Sequence, residues 1–154
     1  MTIARTVASC LQSHQVPYEI ISHPYRETTR ESAESANVPL AQLAKAVVLS
    51  DRRGYLMAVV PGDRHVSFED LWKRLGRRLS LATEARLHPV FKDCESGAIP
   101  PLGPAYGIET IVDDSLVGLP DVYFEAGDHR KLIRVSGERF LALLPEAEHG
   151  QFAH

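Results

Sequence analysis

Two apolar runs set four residues apart constrain this chain more than any other feature. Lys45–Ser50 reads Lys-Ala-Val-Val-Leu-Ser, Tyr55–Val60 reads Tyr-Leu-Met-Ala-Val-Val, and Asp51–Gly54 forms the turn between them. Continuous aliphatic runs of this length suit strands covered on both faces. The pair predicts a hairpin of central strands, and the rest of the chain must supply its cover. With 154 residues there is enough chain to bury that hairpin in one domain, without a disulfide or metal to hold the core. Cys10 and Cys94 make no disulfide framework. A composition of 44% hydrophobic and 24% charged residues excludes wholesale disorder. No apolar run approaches the roughly 18 residues of a membrane span. The first ten residues lack the basic-then-apolar order of a signal peptide. The expectation is a cytoplasmic protein.

The remaining pattern supplies the cover. Thr2 is placed to cap a first helix carrying Ile3, Val7, Cys10 and Leu11, with its end near His14. A short strand over Tyr18–Ser22 stops at His23-Pro24, since a residue before proline avoids the helical region. Thr28 and Glu31 have capping-box spacing, which predicts a helix over Thr29–Asn37. Pro39–Ala44 reads as a turn of helix. Ser67 and Gly76 bracket a helix with Phe68, Leu71, Trp72 and Leu75. Leu79–Ala82 reads as a short strand, and Thr83 caps a helix through Leu87. Later strands are predicted at Ile108–Asp113, Val122–Glu125 and Leu132–Val135, before a last helix from Ser136. Without strict β-α-β alternation, the expected fold is α+β: one compact domain over residues 1–154, with a mixed or antiparallel sheet and surrounding helices. Its core runs from about 3 to 144, and the tail 146–154 is expected to fray.

Chemistry has three candidate seats. Lys45 opens an apolar strand, either as a snorkelling surface residue or as a fixed cation facing a pocket. Asp93–Gly107 packs three glycines and three prolines into fifteen residues, which argues against regular structure. Its Gly97–Gly103 stretch offers backbone N–H groups for an oxyanion, or merely a tight turn. It matches neither a Walker loop nor a dinucleotide fingerprint. The third seat is Lys73, Arg74, Arg77 and Arg78. It stands out because residues 1–80 carry 11 basic and 8 acidic residues, whereas 81–154 carry 6 and 12. That run suits phosphate contact or a solvated helix end. The histidines, including His23, His65, His88 and His129, lack metal-ligand spacing. Cys94 reads as a packed thiol. Asp113-Asp114 reads as a solvated strand end before a cation site.

An ordered set of segments carries a resemblance. It comprises His23-Pro24 with Thr28 and Glu31-Ser32-Ala33, then Gln42–Val48, then Ala58–Asp63. Gly97-Ala98-Ile99-Pro100-Pro101-Leu102-Gly103, Val112-Asp113 and Glu125-Ala126-Gly127 complete it. Over about Val7–Leu144 the chain resembles the YbaK family, also called the prolyl-tRNA synthetase-associated domain. The resemblance implies an α+β fold and an aminoacyl-tRNA deacylase that edits tRNA mischarged with a small amino acid. It implies no cofactor and no metal. Lys45, Gly97 and Ala98 then take the catalytic positions. His23, Thr28, Thr29, Ser32, Ile99, Gly103 and His129 become substrate-binding candidates. His23 stands where the best-known bacterial member has a pocket tyrosine, and the stretch Gly127–Arg130 lacks that member's aspartate. Lys73, Arg74, Arg77 and Arg78 gain weight as tRNA contacts. The implied partners are aminoacyl-tRNA and a helping synthetase or elongation factor, with no DNA or membrane. Two other readings stay open: a non-catalytic module for aminoacyl-tRNA or another small ligand, and a hydrolase of another activated ester.

Overall fold

Residues 3–154 are described by the structure, a computed structural model. In chain order the elements are α1 (Arg5–Ser13), β1 (Glu19–Ser22), α2 (Thr29–Ser35), β2 (Ala44–Asp51) and β3 (Gly54–Pro61). They continue with α3 (Phe68–Leu75), β4 (Ser80–Leu81), α4 (Glu84–Leu87), β5 (Glu109–Asp113) and β6 (Asp121–Glu125). β7 (Lys131–Ser136), α5 (Gly137–Ala142) and β8 (Glu148–Gly150) complete the chain.

Local chemistry sets most of these limits. The Thr28 hydroxyl accepts from Glu31 N, as in a capping box, and donates to the Glu31 carboxylate in place of the box's second backbone bond. Ser67, Thr83 and Ser136 each accept from the backbone N–H three residues on. Gly76 ends α3 at φ +68°, a conformation that costs glycine little. Thr2 lies outside the described residues, and α1 starts after Ala4 without a side-chain cap.

β2 and β3 pair antiparallel from Ala44–Pro61 to Asp51–Gly54, as the two apolar runs require. They sit inside a five-stranded sheet of order β4-β2-β3-β5-β8, and β1-β7-β6 form a second sheet. A parallel bridge between Leu43 and Tyr123 joins the two. Alternation gives the joined surface two faces. On one lie Ala44, Val48, Met57, Val59, Val112, Phe124 and Ile133, in the main core with α1 and α5. On the other, Leu49, Leu56, Ala58, Val60 and Ile111 pack with Leu71 of α3. Leu43 and Leu132 there meet Ala33 of α2.

Three expectations need correction. The Asp93–Gly107 loop is not wholly irregular, because Gly103–Tyr106 winds into a 3-10 turn with proline in its first turn. β5 lies parallel to both β3 and β8 beside the antiparallel hairpin, so this sheet is mixed, one of the two arrangements expected. The tail is not frayed. β8 extends the sheet, Phe152 is fully buried, and Val66 bridges Ala153. Asp113 causes this: one carboxylate oxygen accepts from Phe152 N and Ala153 N, each at 2.9 Å. Its other oxygen accepts from Ser115 N at 3.0 Å. Burial pulls the Asp113 carboxyl up, but these donors outweigh it and hold it below the usual carboxylate range. Asp113 is thus a clasp and not a solvated strand end. Phe152→Ala should cost about 3–5 kcal/mol in urea denaturation; a fraying tail would lose under about 0.5 kcal/mol.

Candidate functional site

β6 ends by burying a carboxylate. Alternation turns Glu125 to the Tyr123 and Leu132 side of the sheet, under α2. Its side chain is 3% exposed, and neither carboxylate oxygen makes a hydrogen bond of good geometry. Burial pushes its carboxyl up to about 8; Ser32 on α2 pulls the other way, and the Asp128 charge adds to the rise. Just beyond, Gly127 and His129 both take positive φ, +109° and +60°. The turn brings His129 back so that Nδ1 lies 3.6 Å from Glu125 Oε2. His129 Nε2 lies 2.6 Å from the Ser96 carbonyl. Tyr25 meets the same ring edge-on at 5.5 Å, and a Cβ on Gly97 would sit 3.5 Å from it.

Among the described residues, five buried side-chain polar atoms lack a hydrogen-bond partner. They are Glu125 Oε1 and Oε2, His129 Nδ1, Ser32 Oγ and His23 Nε2. The segment carrying His23 is laced to the His129 turn, with His23 N donating to Arg130 O and Arg26 N to His129 O. Buried polar atoms are normally satisfied, so five orphans in one neighbourhood mark a place built for something else. No three His, Cys, Asp or Glu side chains among the described residues gather closely enough to hold a metal ion.

Of the predicted residues, the fold therefore brings together His23, Ser32, Gly97 and His129. Lys45 lies two residues past the Leu43–Tyr123 bridge on β2, as Glu125 does on β6. Its ammonium turns to the Arg64 carbonyl at 3.1 Å. Burial first, then Arg30, lowers its pKa, and Asp63 opposes them. Gly97 N has no acceptor among the described residues, but Ala98 N donates to Glu95 O at 3.1 Å. The expected pair of free backbone donors is thus reduced to one. Thr28 is spent on its cap, and Thr29 is the first residue of α2. Ile99 packs on the main core. Gly103 is a packing residue, since a Cβ there would lie 2.0 Å from Thr110 Oγ1. A broad concavity of about 1430 Å³ between α1 and the Gly127–Arg130 turn is lined by none of the predicted site residues.

The basic run divides. Arg77 is 7% exposed and bonds both carboxylate oxygens of Asp51, at 2.8 and 2.7 Å, and Glu109 at 3.1 Å. Its guanidinium holds the Asp51 carboxyl down at about 2. It is a fold-stabilising ion pair and not a surface for phosphate. Arg74 is tied to the His149 carbonyl and packs against Gly150. Lys73 stays exposed beside Glu69, and Arg78 lies 4.5 Å over the exposed Trp72 ring. Cys94 is a packed thiol near the Tyr106 hydroxyl at 3.3 Å, pushed up to about 12 by burial.

Residues 23–143 match the family of aminoacyl-tRNA editing domains. This chain belongs to that family. It is similar to the proline–tRNA ligase of Thermosipho africanus (strain TCF52B), 39% identical over 67 residues, which is 44% of this chain and 12% of the ligase. It is 28% identical over 131 residues to the proline–tRNA ligase of Xanthomonas oryzae pv. oryzae (strain MAFF 311018), covering 83% of this chain and 22% of that one. The chain thus spans about a fifth or less of the curated relatives it matches. Its fold is shared with a solved structure named as a candidate trans-editing enzyme for prolyl tRNA synthetase. The TM-score is 0.82 at 23% identity, covering 98% of this chain and 96% of that one. A scaffold protein used for epitope grafting has the same fold, with TM-score 0.84 at 22% identity over 98% and 96% of the two chains.

Glu125 was missed as a site residue although it sits in the Glu-Ala-Gly segment. The readable signal was a carboxylate closing the apolar strand Val122–Phe124. Its raised pKa makes a prediction about stability. Between the unfolded value of 4.5 and about 8 the folded state holds the extra proton, so this residue's contribution to stability falls as pH rises through that window. Glu125→Gln, neutral throughout, should therefore gain in Tm relative to wild type between pH 5 and pH 8.5 in differential scanning calorimetry. An equal Tm difference at both pH values would contradict the buried, neutral carboxyl.

Proposed function

We propose that this chain is a trans-acting aminoacyl-tRNA deacylase that hydrolyses the ester of a tRNA carrying a small, wrongly attached amino acid. The observation that carries this reading is the cluster of buried polar side chains at Glu125, Ser32 and His129, with Gly97 against the His129 ring, in a chain of the editing family.

An aminoacyl ester is already activated, so holding it beside water is most of the task. Water adds to the ester carbonyl carbon, and the oxyanion that forms accepts from Gly97 N. Collapse breaks the bond to the ribose oxygen, which takes up the proton as a hydroxyl. Lys45 supplies positive charge at the strand mouth for the terminal nucleotide or the carbonyl oxygen. Lys73 and Arg78, flanking the exposed Trp72, remain as the tRNA contact; a cation-and-aromatic surface suits a nucleotide chain. One observation favours a second reading, a non-catalytic binding module: Ala98 N is already taken by Glu95 O, which halves the oxyanion donors.

The two readings part on a panel of mischarged tRNAs that includes Ala-, Ser- and Cys-tRNAPro. Deacylation of one member should fall by about 100–1000-fold in Lys45→Ala with its circular dichroism unchanged. Binding without turnover by the wild type would favour the module.

A further inference from the structure

The packing of α2 carries Arg30 to the mouth of β2. Ala33 of α2 shares one buried cluster with Leu43 and Leu132. Arg30 lies three residues before Ala33, on the same stretch of helix face and about 4.5 Å back along the axis. Lys45 lies two residues past Leu43 on extended chain, so its side chain leaves the same side of the sheet, about 6.6 Å further on. The two cations are thus neighbours across the cluster that Ala33 and Leu43 share. Burial first, and the Arg30 charge second, lower the Lys45 pKa; Asp63 opposes them without reversing the shift. Among the described residues neither Arg30 nor Lys45 forms an ion pair, whereas Arg77, Lys131 and Arg134 each hold a carboxylate. Lys45 spends one ammonium donor on the Arg64 carbonyl, which leaves two. Like charges held side by side add to the cost of a half-buried ammonium, and an anion set between them relieves it.

We propose that Arg30, together with Lys45, holds the phosphodiester on the 5′ side of the tRNA's terminal nucleoside. The proposal rests on the deacylase reading and adds to it a second cation and the anion that the pair takes. In an aminoacyl-tRNA the amino acid's own carboxyl is tied up in the ester. The anion nearest the reacting bond is therefore that phosphodiester. The two side chains suit it in different ways. The planar guanidinium fork spans two phosphate oxygens, and the ammonium offers its two remaining donors as a compact charge. Arg30 is exposed and Lys45 is half-buried, so the phosphate meets the guanidinium at the surface and the ammonium at the strand mouth. A backbone contact of this kind fixes register and adds affinity, and it reads neither the base nor the amino acid. Losing Arg30 therefore weakens binding of the substrate and leaves the bond-breaking step to the groups around the ester.

The test uses the amino acid that wild type removes from the tRNA panel. Its 3′ ester is made on adenosine, which has no phosphate, and on adenosine 5′-(methyl phosphate), which adds one phosphodiester and no second base. Wild type should prefer the phosphate-bearing ester on the order of 10–100-fold in kcat/KM. Arg30→Ala should lose most of that preference through KM, and Arg30→Lys, which keeps the charge without the fork, should keep part of it. On the whole mischarged tRNA, the slope of log KM against log salt should fall by about one in Arg30→Ala. Arg30 is exposed, so the thermal melt of each variant should match wild type. Equal use of both esters by wild type would overturn the phosphodiester assignment and leave the deacylase reading standing. So would an Arg30→Ala protein with the wild-type preference and salt slope, or one that slows both esters alike. A wild type that hydrolyses no member of the panel would overturn the deacylase reading itself and this assignment with it.

Discussion

Everything else in the molecule is arranged around a hairpin that must be dry on both faces. β2 and β3 carry aliphatic side chains to either side, so each face needs its own cover. The main core with α1 and α5 covers one. On the other, α3 with Phe152 covers the centre and α2 covers the Leu43 end. The Leu43–Tyr123 bridge extends this two-faced surface into the β1-β7-β6 sheet. That junction brings the mouth of β2 level with the end of β6, and hence Lys45 and Glu125 onto one side of one surface.

Unanswered polar chemistry is concentrated at the buried end of β6. Elsewhere the buried charges are answered. Arg77 has Asp51 and Glu109, and Asp113 has the backbone of the tail. Only the neighbourhood of Glu125, His129, Ser32 and His23 leaves buried side-chain atoms unanswered among the described residues. An unpaired polar group in a low-dielectric interior is costly, and a fold keeps such a cost where a ligand relieves it. The positive φ of His129 belongs to the same economy, because a non-glycine residue in the left-handed region is strained and points its ring where extended backbone would not.

Local signals in the chain were reliable where a single turn or cap sufficed. Thr28, Ser67, Thr83 and Ser136 each cap the helix that follows, since the hydroxyl and the N–H that donates to it lie within four residues. The tail failed as a local reading because Gln151-Phe152-Ala153 has no periodicity of its own. Its order comes from Asp113, nearly forty residues away. The basic run failed for a like reason: Arg77 is adjacent to Arg78 in sequence, but the end of α3 turns one into the core and leaves the other on Trp72. Gly103 looked like part of a ligand loop and is a gap filled by Thr110.

The amino-acid sequence by itself determined the hairpin, the capped helices, the α+β class and the family, because each is written in periodicity, capping chemistry or an ordered set of segments. It also named His23, Ser32, Gly97 and His129 as separate candidates. Only the tertiary structure decided that these four gather at the His129 turn and Glu125, that Ala98 N is spent on Glu95, and that Arg77 belongs to the core. The physical reason is that hydrogen-bond satisfaction and burial are pairwise properties of residues far apart in the chain. They exist only once the strands have been brought into register.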